Sequence, residues 1–104
     1  MIPNKVVDLS TEILSLASSP TIPLTNVETA TVIILRAAEQ MKLHGQLISE
    51  IANWMNKSIE EVNKNKNLDN TLSSIVLLVN GGFENIITAA KFIVELSKEE
   101  AENN

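Results

Sequence analysis

The chain has no cysteine, no tyrosine and one histidine, and aromatic residues make up only 3% of it. Without thiols, disulfides, thiolate metal sites and cysteine nucleophiles are excluded. With Trp54, Phe83 and Phe92 as the only large rings, stacking platforms for single-stranded nucleic acid are scarce. The core must therefore be aliphatic. Basic residues are outnumbered 8 to 13, which gives a formal net charge of −5. Such a chain is repelled by phosphate backbones and anionic lipid unless it gathers a local basic patch. No apolar run reaches the roughly 18 residues a membrane-spanning helix needs. No basic-then-apolar leader marks the start. The expectation is a soluble, cytoplasmic protein with no membrane partner.

Catalytic signatures are also missing. There is no Walker motif, no GxGxxG and no calcium-loop pattern. His44 has no second histidine or cysteine to complete a metal site, and the serines and threonines have no evident base. Beside Gly45, His44 reads as a helix C-terminal residue bonding to end carbonyls. Glu60 and Glu61 are adjacent and point to different faces of a helix. No enzyme activity, metal or cofactor is expected.

What is present is hydrophobic periodicity. At 104 residues with 44% hydrophobic content, the chain suits one small domain with one core. Asn4 is a candidate N-cap, followed by Val6, Leu9, Ile13 and Leu16 at helical spacing. Pro20 and Pro23 in SSPTIPL end that helix near Ser18. Thr25 to Glu28, TNVE, reads as a capping box for the next.

A heptad series then begins. Val27, Ile34, Met41, Ile48, Met55 and Val62 lie seven residues apart, and Thr31, Ala38, Gly45, Ala52 and Ile59 follow the first five by four. One seam is large and the other mostly small, which allows a close helix approach. An intramolecular helix pair is the default explanation. A dimer or partner interface is the functional one. A single helix from Val27 to Val62 would span about 50 Å, against a diameter of about 30–35 Å for a globule of this size. A break is therefore expected at Gly45, or next at Asn56.

The polar NKNKNLDN stretch reads as a loop or a frayed helix end, with Asp69 or Asn70 capping a further helix through Leu72, Ile75, Val76 and Val79. Asn80-Gly81-Gly82 suits a type I′ hairpin turn, which would make strands of SIVLLV, FENIIT and TVIIL. The 3/4 spacing of Leu68, Leu72, Ile75, Val79, Phe83, Ile86, Ala90 and Ile93 favours a helix junction instead. A last helix, with Phe83, Ile86, Ile87, Ala90, Ile93, Val94 and Leu96 inward, should loosen where glutamates oppose its dipole. The expected organisation is an all-α compact bundle of four to five helices over residues 1–98, with a solvated tail at 99–104.

Two functional readings emerge. The first is a non-enzymatic interaction or accessory protein that pairs with itself or a protein partner through Met41, Ile48, Ala52, Trp54 and Met55. Trp54 is a natural interface anchor if exposed. The second rests on residues 46–66, which resemble a helix-turn-helix in outline. Ala52 is the small residue at the helix approach, Asn56 the turn residue and Ser58 the cap. Asn63, Lys64 and Lys66 complete a possible contact set with Ser58. Nucleic acid is nonetheless disfavoured, because Glu60 and Glu61 would face phosphates.

Overall fold

A computed structural model describes residues 2–102. Among them the protein is all-α, with five helices and no strand: α1 (Asn4–Ala17), α2 (Val27–Lys57), α3 (Ile59–Val62), α4 (Lys66–Asn80) and α5 (Phe83–Glu102). No helix of the described residues is long and apolar enough to cross a membrane.

α1 is the central element. It packs against both α2 and α5, while α4 packs against α5. Its inward face is Val6, Leu9 and Ile13, with Ser10 buried among them. The Ser10 hydroxyl donates to the Val6 carbonyl at 2.8 Å, so a polar group is buried without loss of its hydrogen bond. These side chains meet Leu43, Leu47, Ile51 and Trp54 of α2, Leu72 and Ile75 of α4, and Ile86, Ala90 and Ile93 of α5. The core is aliphatic apart from Trp54.

The helix starts lie close to the expected ones but use other residues. Pro3, not Asn4, is the residue before α1, and it makes no side-chain cap; its carbonyl accepts from the amides of Val6 and Val7. α2 is capped by Asn26 rather than Thr25. The Asn26 side chain accepts from the Thr29 amide at 2.9 Å, and the Thr25 hydroxyl lies 3.1 Å from that of Thr29. α4 begins inside the stretch expected to be a loop or a frayed helix end, ahead of Asp69 and Asn70, because Asn65 accepts from the amides of Asn67 and Leu68. The shifts at α2 and α4 have one cause: asparagine satisfies first-turn amides as well as threonine or aspartate does, and Asn26 stands next to the expected cap Thr25, Asn65 ahead of Asp69 and Asn70.

The expected break at Gly45 does not occur. α2 runs unbroken for 31 residues, about 46 Å. The size limit fails because the molecule is not round: its extents are 56 × 26 × 19 Å. The chain turns instead at Ser58, whose amide bonds back to Trp54 and Met55 while its carbonyl accepts from Val62. No non-glycine residue among those described has positive φ, so Asn56 does not act as a left-handed turn residue.

Asn80-Gly82 is the helix junction, not a hairpin. Gly82 has φ 109°, a conformation that a side chain strains. At the far end α5 continues through Glu102, and the Glu100 carboxylate accepts from the Ile2 amide at 3.3 Å. Residues 103–104, the end of the expected tail, lie outside the described residues.

Gly82→Ala should cost about 1–3 kcal/mol, because the junction needs positive φ. Gly45→Ala should stabilise the isolated protomer by about 1 kcal/mol, the helix-interior difference between the two residues, since a Cβ there meets nothing within 4 Å. Urea unfolding at low protein concentration measures both; equal effects would contradict the geometry.

Candidate functional site

α2 is about twice as long as the helix that covers it. α1 has 14 residues, about 21 Å. Every buried residue of α2 lies between Leu43 and Trp54. From Val27 to Lys42 no side chain is buried. This first half is an arm, partly lined by the Ser18–Asn26 connection. Arg36 fastens that connection by donating to the Pro20 carbonyl at 3.0 Å.

The heptad seam lies on the uncovered side. Exposure is 81% at Val27, 65% at Ile34, 65% at Met41 and 40% at Ile48. Thr31, Ala38, Gly45 and Ala52 are exposed as well. From Val27 to Ile48 the seam therefore makes no intramolecular pair, whereas Met55 and Val62 at its far end pack against the core. The side chains that bury against α1 and α5 sit roughly a third of a turn away, at 100° per residue.

The seam leads into a groove. Ala52 and Met55 form one wall with Ile59 and Val62, and Leu72, Val76 and Leu77 of α4 form the other, enclosing about 790 Å³. Asn56, Asn63 and Asp69 stand among the lining residues. Leu77 is 73% exposed and Ile59 55%, so the uncovered apolar surface extends from the arm onto the body.

Of the five expected interface residues, Met41, Ile48 and Ala52 are exposed on this seam and Met55 is half-buried at the groove. Trp54 is not part of it. It is 6% exposed and belongs to the core cluster. One residue along a helix turns a side chain by about 100°, which separates Trp54 from Met55. Leu35, Val32 and Leu24 are exposed apolar residues that the seam spacing alone does not pick out. The run Val32–Leu35 carries the signal for Val32 and Leu35. Four consecutive apolar residues encircle a helix, and one covering neighbour cannot bury them all.

The helix-turn-helix residues are arranged differently from a groove reader. The second helix expected after Asn56 is α3, a single turn of four residues, too short to carry a reading face into a major groove. Ser58 is buried, with no side-chain cap hydrogen bond. Asn63, Lys64 and Lys66 are exposed, as are Glu60 and Glu61.

His44 is neither a helix end nor a surface group. It lies within α2, 3% exposed, with its ring centroid 4.4 Å from that of Phe83. Neither ring nitrogen has a hydrogen-bond partner, and burial lowers its pKa below the ordinary 6.5. It acts as an aromatic spacer between α2 and the start of α5.

No family model, curated protein or solved structure matches the chain. The uncovered face of α2 is thus the feature on which function can be argued.

Because the folded state holds His44 neutral, the unfolded state binds the extra proton as pH falls. The stability contributed by neutral His44 is complete above pH about 6.5 and declines below it. His44→Leu removes two unpartnered polar atoms and should match or exceed the wild-type stability at pH 7.5. It should also lose less between pH 7.5 and 5. Thermal melts of both proteins at the two pH values decide this, and parallel losses would contradict it.

Proposed function

We propose that the protein is a non-enzymatic interaction module that assembles with a second copy of itself through the uncovered face of α2. The observation that carries this reading is the seam Val27, Ile34, Met41 and Ile48, regular over three heptads and open to solvent. Apolar residues of a monomeric surface are usually scattered singly. A continuous stripe of them rimmed by polar residues marks a binding surface.

Magnitudes favour a contact along the whole arm. Val27, Ile34, Leu35, Met41 and Ile48 are 40–81% exposed. Covering what each exposes is worth about 1–2 kcal/mol. A symmetric pair with all ten covered gains on the order of 10–20 kcal/mol before an association cost of roughly 4–15 kcal/mol. A contact covering only one or two of them would not hold. The acidic surface works in the same direction: a net charge of −5 keeps copies apart wherever apolar contact does not draw them together.

Ile34→Glu and Met41→Glu should each convert the assembly to monomer. Both sites are exposed in the protomer, so their effect on fold stability should stay within about 0.5 kcal/mol. Sedimentation velocity across a concentration series, paired with circular dichroism, separates the two effects. A wild-type chain that stays monomeric at the highest attainable concentration would sink the proposal.

A further inference from the structure

We infer that the two copies pair antiparallel along α2, with Ile34 of each facing Ala38 of the other. The inference rests on the self-association reading above and adds its register. Large and small residues alternate along the exposed seam in a self-complementary order. When two α2 helices run in opposite directions with facing residue numbers summing to 72, Val27 lies opposite Gly45, Ile34 opposite Ala38, and Met41 opposite Thr31. Every layer then joins one large residue to one small one, which brings the axes close without overpacking. All six residues are exposed in the protomer, so none has to leave the core to make the contact.

Charge selects the same register independently. Glu28 and Lys42 are exposed, and both flank the seam on one side, next to Val27 and Met41. In the antiparallel arrangement Glu28 of each copy comes beside Lys42 of the other, once at each end. Leu35, 63% exposed, meets its own counterpart at the two-fold axis between them. In a parallel pair Glu28 and Lys42 stay 14 residues apart, about 21 Å along the axis, and Gly45 faces Gly45 across an unfilled layer. Both apolar fit and ion pairing therefore choose the antiparallel dimer.

The chain has no cysteine, so introduced thiols report the register without background. Val27→Cys and Gly45→Cys are prepared separately in the full chain, then oxidised alone and mixed. The mixture should give a covalent dimer and each variant alone should not. In the antiparallel register identical positions lie 18 residues apart, about 27 Å, beyond the roughly 7 Å that a disulfide spans between Cα atoms. Gly45 has open space for the new side chain. As a second reading, Glu28→Lys and Lys42→Glu should each weaken dimerisation about tenfold, since two attractive pairs become repulsive, and mixing the two variants should restore it. Crosslinking of each variant alone overturns the register and leaves self-association standing. A dimer that crosslinks in neither case also overturns the register and moves the contact to another surface. A monomer throughout overturns both readings.

Discussion

The rest of the structure follows from a mismatch in length. A 14-residue α1 lies along a 31-residue α2, and a helix can bury only what its neighbours reach. The core gathers where they overlap, from Leu43 to Trp54, and the excess projects. The long axis of 56 Å belongs to this projection. A bundle of equal helices would have buried the same seam inside one chain, and its heptad spacing would then have meant nothing more than packing.

The arm is a helix because its amides and carbonyls have no better option. Asn26 caps its first turn, and bonds within the helix satisfy the remainder without help from neighbours. The neighbours supply most of what stabilises a helix in water, however, and short isolated helices are marginal. An apolar stripe on an uncovered arm is thus in tension with the segment's own stability. A second helix laid along it would relieve both the exposure and the marginal order. Molecules that leave such surfaces open as monomers tend to be aggregation-prone, a hazard that a net charge of −5 opposes.

The sequence carries the helices more clearly than it carries their environment. Periodicity places the apolar stripes of α1, α4 and α5 except at Val76 and Phe83, which stay exposed at 37% and 48%, and it rejects a hairpin at Asn80-Gly82, because 3/4 spacing and two-residue alternation are distinguishable over twenty residues. It did not reveal which face of α2 is covered. Heptad spacing describes a stripe, and a stripe looks the same whether its partner lies in the same chain or another. Trp54 was ambiguous for a related reason: a large ring beside the seam serves core and interface equally, and only the rotation of the helix decides. The continuity of α2 was hidden by an assumption of roundness. Gly45 looks like a stop because glycine often is one, but a glycine with open space where a Cβ would sit is tolerated within a helix at modest cost.

The hydrogen bond from the Ile2 amide to Glu100 ties the segment before α1 to the last turn of α5 at the pole of the body near Trp54. Val27 stands 27 residues up α2 from that pole, about 40 Å away. The two segments therefore share one pole of the molecule, far from the arm. Two copies held arm to arm would carry these poles at opposite extremities, outward and well separated, like loads at the ends of a yoke.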